Sequence, residues 1–263
     1  MIYRTDYHVH TTYGDGRSAP EEYIAPAIAA GLMEIGFSEH LALFHGKEEW
    51  TMDPVTGVEK YLKHITDLRD SCNEIKVKIG FEVDFFPGKG RELGKFLSAL
   101  NVDYLIGAVH YMGDGKADFF DPEFYKGKNF NRLFETYFEM VIEAVSSELF
   151  DIIAHCDLIR MFGHKPDFNP EPLYRKLALS MKKHNVAFEV NTNGRNRPLA
   201  DFFPDRKFLH IFQNENVPVC VNSDAHMPGR IGQYFDEAYD LLRYAGFTEM
   251  AVFENRERKM ISF

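Results

Sequence analysis

His8 and His10 flank a single residue, Val9, and Asp224 and His226 repeat that spacing around Ala225. In an extended chain residues i and i+2 face the same way, so each pair can aim two ligand groups at one point. His40, Glu82, His110 and His155 stand singly, each at or near the end of a β-rich run. The set offers nitrogen and oxygen donors without thiolate, which suits Zn²⁺, Fe²⁺ or Mn²⁺. Cys72, Cys156 and Cys220 are far apart and form no CxxC pair, so neither a disulfide framework nor a thiolate zinc site is indicated. Cys156 lies between His155 and Asp157 and is expected to face away from them as a small packing residue.

Such groups can act together only if the fold brings strand ends together. Short β-rich runs alternate with longer helical ones. The strand candidates are Tyr3–His10, Glu34–His40, Val77–Phe85, Asp103–His110, Asp151–Asp157, Val186–Asn193 and Val217–Asp224. Helices are expected at Ala19–Ala30, Val58–Cys72, Arg91–Leu100, Arg132–Glu148, Pro172–His184, Arg206–Asn214 and Tyr234–Tyr244. Leu133, Phe134, Tyr137, Phe138, Val141, Ile142 and Val145 form a helical stripe. Ser18 with Glu21 fits a capping box, and Gly31 and Gly246 fit helix stops. Glu249–Phe263 is expected to give one more short strand and a tail. Alternation of this kind implies a mostly parallel sheet, either closed as a barrel or open and doubly wound. Both put active sites at the carboxyl ends of the strands, where the ligand-type residues lie.

The 263 residues suit one domain, read as 1–263, and 45% hydrophobic with 27% charged residues is an ordinary globular composition. A formal charge of −10 argues against nonspecific nucleic-acid binding, and no run is apolar enough for a membrane span. The start Met1–Asp6 lacks the features of a signal peptide, so a cytoplasmic protein is expected. No GxGxxG, Walker loop, GxSxG elbow or HExxH occurs. His64, His184 and His210 fall in helical patterns and His164 in a polar loop, where packing or surface roles are expected. Arg160, Arg195, Arg197 and Arg17 follow strands on the same rim, and guanidinium groups there suit phosphate oxygens.

The ordered motifs Asp6-Tyr-His-Val-His-Thr, Phe37-Ser-Glu-His40, Gly80-Phe-Glu-Val-Asp84, Asp103–His110, Ala154-His155-Cys-Asp, Glu189-Val-Asn-Thr-Asn-Gly194 and Asn222-Ser-Asp-Ala-His226 resemble the PHP (polymerase and histidinol phosphatase) superfamily. They are most similar to its stand-alone histidinol-phosphate phosphatases. The resemblance implies a distorted (β/α)₇ barrel holding up to three divalent ions at the C-terminal ends of its strands. It assigns one ion to His8, His10, Glu82 and Asp224, a second to Asp15, His40 and His226, and a third to Glu82, His110 and His155. Asp15 stands where other members carry His, and it enters only through the resemblance. Glu82, Asp224 and His226 are expected at the reacting centre, with Arg160 and Arg197, then Arg195 and Arg17, on the phosphoryl group.

The implied reaction is hydrolysis of a small phosphomonoester, L-histidinol phosphate, by metal-activated water. Alternatives are a related phosphoesterase acting on nucleotides or another small ester, a metal-dependent amidohydrolase, and a non-catalytic metal-binding barrel. The amidohydrolase would call for a lysine ligand, and no Lys ends a strand here. Glu39, His45 and Asp114 lie on loops suited to contact the rest of the substrate.

Overall fold

The computed structural model describes residues 2–44, 50–112, 117–118 and 120–263. His45 and Asp114 lie outside the described residues. The strands are β1 (Thr5–Asp6), β2 (Glu34–Leu41), β3 (Lys76–Asp84), β4 (Tyr104–Ala108), a short antiparallel pair β5 (Tyr111–Met112) and β6 (Ala117–Asp118), then β7 (Ile152–Ile153), β8 (Ala187–Asn191) and β9 (Val219–Asn222). Seven of them form one parallel sheet in the order β1-β2-β3-β4-β7-β8-β9. Its two edges meet, because Val9, just beyond β1, bridges in parallel to Ala225, just beyond β9. The His10 amide bonds Ala225 O at 2.9 Å, and the Tyr7 amide bonds the Asn222 side chain at 2.9 Å. The sheet is thus a nearly closed (β/α)₇ barrel.

Two strands are much shorter than the sequence pattern suggests. Beyond Asp6 side chains take over part of the ladder, as Val9 N–H donates to Ser38 Oγ at 3.3 Å. After Ile153 the chain leaves β7 by way of His155, whose φ is +24°. The helices are α1 (Ile24–Ala29), α2 (Gly57–Ser71), α3 (Gly90–Leu97), α4 (Phe130–Ser146), α5 (Glu171–His184), α6 (Leu209–Asn214) and α7 (Phe235–Tyr244). The first and sixth are preceded by 3₁₀ turns, Pro20–Tyr23 and Arg206–Phe208. Proline at the first position moves the N-terminal cap to Ala19, so the reciprocal carboxylate is Glu22 rather than Glu21. Glu22 accepts from the Ala19 amide at 3.1 Å, while Glu21 pairs with His64 Nε2 at 2.5 Å. The α4 stripe is buried at Phe134, Tyr137, Phe138, Val141 and Val145, with Leu133 and Ile142 at its margins. Gly31 and Gly246, both with positive φ, follow α1 and α7.

A large core lies between strands and helices, and a separate cluster fills the barrel. Tyr104 lies across the barrel interior, its hydroxyl donating to Tyr7 O at 2.7 Å and to Phe37 O at 3.1 Å. Gly36 and Gly80 admit its side chain, since a Cβ would lie 2.3 Å from the hydroxyl at Gly36 and 2.3 Å from the ring at Gly80. The C-terminal segment forms a hairpin, β10 (Glu249–Glu254) with β11 (Glu257–Ser262), rather than one strand and a tail. Asn255 and Arg256 turn it with φ of +51° and +66°, as a two-residue hairpin loop demands. Ala251, Val252 and Phe253 join the interior cluster, and Arg256 pairs with Asp151 and donates its amide to Asp103 O at 2.9 Å. Asp103 and Asp151 immediately precede β4 and β7, so the hairpin stoppers the N-terminal end of the barrel. The C-terminal end carries the polar cluster. Among the described residues no helix is long and apolar enough to cross a membrane.

Candidate metal centre

At that end the nine ligand-type side chains singled out above converge. His8, His10, His40, Glu82, His110 and His155 are buried, Asp224 and His226 partly so, and Asp15 is exposed on its loop. Glu82, from β3, sits in the middle. Its Oε2 lies 2.7 Å from His40 Nδ1, 3.2 Å from His8 Nε2 and 3.6 Å from His10 Nε2. Its Oε1 lies 3.0 Å from His155 Nε2 and 3.3 Å from His110 Nε2. Asp15 Oδ1 is 3.2 Å from His226 Nε2 and 3.6 Å from His40 Nε2. His8 and His10 flank Val9, which bridges to Ala225 just beyond β1, and both rings reach Glu82. Asp224 and His226 converge differently: β9 ends at Asn222, and Asp224 turns inward with φ of +51°.

Four overlapping groups have ligand atoms within 4.8 Å of one another. They are His10, Asp15, His40 and His226; His8, His10 and Glu82; His8, His155 and Asp224; and His40, Glu82 and His110. The first contains the whole expected set of Asp15, His40 and His226. The others redistribute the remaining ligands, with His155 beside Asp224 and His110 beside His40. Nε2 of His8, both ring nitrogens of His10 and Oε2 of Glu82 are buried without a hydrogen-bond partner. Buried lone pairs of this kind, converging from different strands, are the donor set a divalent cation satisfies. The residues therefore fit the metal ions that the donor types imply.

The electrostatics agree. Burial alone would raise the Glu82 carboxyl, but His8, His40 and His110 outweigh it and hold it well below its usual range. Asp15 and Asp224 are likewise depressed against burial, chiefly by His226 and His8 respectively. Burial opposes the charged form of His226, yet the bond to Asp15 and the Asp224 charge lift it to about 9. His10 moves the opposite way: burial, then the neighbouring His40, His226 and His8, push it well below its ordinary value. The site is thus built to keep carboxylates ionised in a buried place.

Residues behind these ligands carry part of the geometry. Glu189 on β8 meets His8 Nδ1 at 3.0 Å, and Asp84 on β3 meets His110 Nδ1 at 2.7 Å. Neither was singled out from the sequence as part of the site. Asp84 could have been, because it lies two residues beyond Glu82 on the same strand face. Glu39, considered above for substrate contact, is buried and accepts from Thr11 N and Oγ1, both at 2.6 Å. Burial pushes its carboxyl up to about 8, and it anchors the loop leading to Asp15. Cys156 is buried in the strand–helix core, pointing away from the site. His64 and His184 pair with Glu21 and Glu148 away from the cluster, and His164 and His210 are exposed.

Above the cluster opens a cavity of about 330 Å³, lined by Asp15, His40, Glu82, His110, His155, Asp224 and His226 together with Trp50, Tyr111, Phe120, Leu158, Asn193, Arg197 and Phe203. Of the four candidate arginines, Arg197 is the one at its wall. Arg160 is 5% exposed, its guanidinium held by Asp157 at 2.6 Å and Asp205 at 3.4 Å. Arg195 pairs with Glu237 at 3.2 Å and bonds Ala200 O at 3.0 Å. Arg17 is exposed, its amide donating to His226 O at 2.8 Å.

Residues 6–193 match the PHP domain. A probable histidinol-phosphatase of Deinococcus radiodurans is 32% identical over 262 residues, covering 97% of each chain. A histidinol-phosphatase of Lactococcus lactis subsp. lactis is 26% identical over 260 residues, covering 95% of this chain and 94% of its own. Among solved structures, histidinol phosphate phosphatase from Lactococcus lactis, complexed with zinc, L-histidinol and phosphate, superimposes with a TM-score of 0.85. That match spans 98% of this chain and 100% of the other at 23% identity. The barrel of seven parallel strands, the ligand cluster at its C-terminal mouth and these relatives agree: the chain belongs to the PHP domain family.

Proposed function

We propose that residues 1–263 form one metal-dependent domain that converts L-histidinol phosphate and water to L-histidinol and phosphate, a late step of histidine biosynthesis in the cytoplasm. The observation that carries this reading is the convergence of nine ligand-type side chains, seven of them lining a cavity whose wall also holds Arg197. Relatives alike along nearly their whole length are named histidinol-phosphatases, which supports the substrate. A volume of about 330 Å³ suits a small ester rather than a nucleic acid.

In this reading His8, His10, Asp15, His40, Glu82, His110, His155, Asp224 and His226 hold the divalent ions, with Glu82 shared. When bound, such ions bring the pKa of water to about 7 and neutralise charge on phosphoryl oxygens. The chain's own groups then bind and orient. Arg197 offers a planar fork of N–H donors to the phosphoryl oxygens, a contact that strengthens as charge spreads over them. Asn193 presents a polar side chain beside Asp224, 3.3 Å from its Oδ2. Trp50 and Tyr111, whose rings lie 6.0 Å apart at 27°, give the cavity a flat aromatic wall against which an imidazole can pack. Arg160 supports the rim from behind through Asp157 and Asp205. No serine or cysteine lines the cavity among the described residues, and its aspartates and histidines are the proposed ligands of the ions, so a covalent phosphoenzyme is not part of the scheme.

Phosphate release from histidinol phosphate, nucleoside monophosphates and sugar phosphates, measured side by side, tests the proposal. The expected result is a kcat/KM for histidinol phosphate at least tenfold above every other ester. A nucleotide preferred over histidinol phosphate would assign the chain to another phosphoesterase activity.

A further inference from the structure

Glu189 is fully buried on β8 and hydrogen-bonded from four directions. His8 Nδ1 approaches both its oxygens, at 3.0 and 3.2 Å. The backbone amide of His155 donates to Oε1 at 2.9 Å. Asn191 Nδ2 donates to the same oxygen at 2.7 Å, and Asn222 Nδ2 donates to Oε2 at 2.8 Å. These partners come from the chain after β1, the turn after β7, β8 itself and the end of β9, so one carboxylate ties four staves of the barrel together. Every partner is a nitrogen donor, and an ionised carboxylate can only accept. His8 Nδ1 must therefore carry its proton toward Glu189, which leaves Nε2 aimed at Glu82, 3.2 Å away, and at Asp224, 3.9 Å away. The bond to His155 matters separately. His155 adopts φ of +24°, a conformation costly for a residue with a side chain, and its amide is pinned there by Glu189.

We infer that Glu189 is a positioning residue for the metal centre: it orients His8 through Nδ1 and fixes the backbone turn that presents His155, without itself touching a cation. The inference rests on the proposed ligand roles of His8 and His155. Its chemistry is general, since a carboxylate behind an imidazole fixes the ring's tautomer and raises its basicity, and losing it costs about 10–100-fold in metal affinity.

Zinc affinity by chelator competition, and the melting temperature of the metal-free protein, separate positioning from bulk stability. Four proteins are compared: wild type, Glu189→Gln, Glu189→Ala and His8→Ala. Glutamine keeps the shape and one acceptor but turns an NH₂ group toward nitrogen donors. Glu189→Gln is expected to melt near the wild type when metal-free and to bind zinc about tenfold more weakly. Glu189→Ala, if it folds, is expected to lose up to about a hundredfold. Wild-type zinc affinity in Glu189→Gln would overturn the inference, provided His8→Ala loses zinc. A Glu189→Gln protein that fails to fold would overturn it as well, because a purely structural clamp gives that result. Unchanged zinc affinity in His8→Ala would instead refute the ligand assignment on which the inference stands.

Discussion

Glu82→Gln should remove more metal than any other single change of nearly constant shape. The side chain is 1% exposed and faces five histidines, with three on Oε2 at 2.7, 3.2 and 3.6 Å and two on Oε1 at 3.0 and 3.3 Å. It belongs to two of the four candidate ligand groups. Replacing the carboxylate by an amide removes one buried negative charge from both groups at once and points donors at imidazoles that also need to bind a cation. Losing one partner of a buried charged contact costs about 3–5 kcal/mol, which is roughly two to three and a half orders of magnitude in affinity. Asp15→Asn gives the scale on the other side. Asp15 is 36% exposed, belongs to one group and meets two histidines at 3.2 and 3.6 Å, so solvent screens its charge and the loss should be about tenfold or less. Elemental analysis after dialysis against graded chelator reads both. The expected order is wild type, then Asp15→Asn, then Glu82→Gln, the last retaining the least metal. Full metal content in Glu82→Gln, or an equal loss in Asp15→Asn, would refute the idea that the buried carboxylate is shared.

Arg197→Ala should lower kcat/KM by about 1.5–3 kcal/mol, roughly ten- to hundredfold, with metal content unchanged; unaltered kinetics would remove it from the phosphoryl site. Arg160→Ala should act on stability, since it strips Asp157 of a 2.6 Å partner and leaves a buried carboxylate short of charge; a lower melting temperature is expected, and an unchanged one contradicts the buried pair. Metal affinity should rise with pH. A cation needs the unprotonated imidazole of His226, whose folded pKa is raised to about 9, so protons compete below that value and the gain levels off above it. Competition titrations at pH 6, 7.5 and 9 that give one affinity would refute this.

The chemistry was legible because ligand-type residues recur where β-rich runs end, and the i, i+2 spacing of His8 and His10 suits one side of an extended chain. The closure of the sheet was not, since the bonds that join β1 to β9 involve Tyr7, Asn222, Val9 and Ala225, whose types carry no pairing code. Asp224 and His226 suggested a same-face pair on a strand, but a left-handed residue delivers them instead. Arg160 follows β7, and its place on the rim is what marks it as a phosphate-binding candidate. Asp157, three residues earlier on the same turn, engages its guanidinium in a local i, i+3 contact that the rim pattern does not show. Glu189 lies within β8 rather than at its tip, and only the assembled barrel shows His8 reaching it. The hairpin of β10 and β11 reads as one short strand and a tail until Ala251 and Phe253 are seen inside the barrel.

Hydrolysis of histidinol phosphate as a function of metal loading decides whether bound ions are needed for the reaction. Protein stripped by chelation and verified by elemental analysis should be inactive, and activity should return as zinc or manganese is added back, reaching its plateau as the sites fill. Full turnover by protein shown to be metal-free would contradict the account.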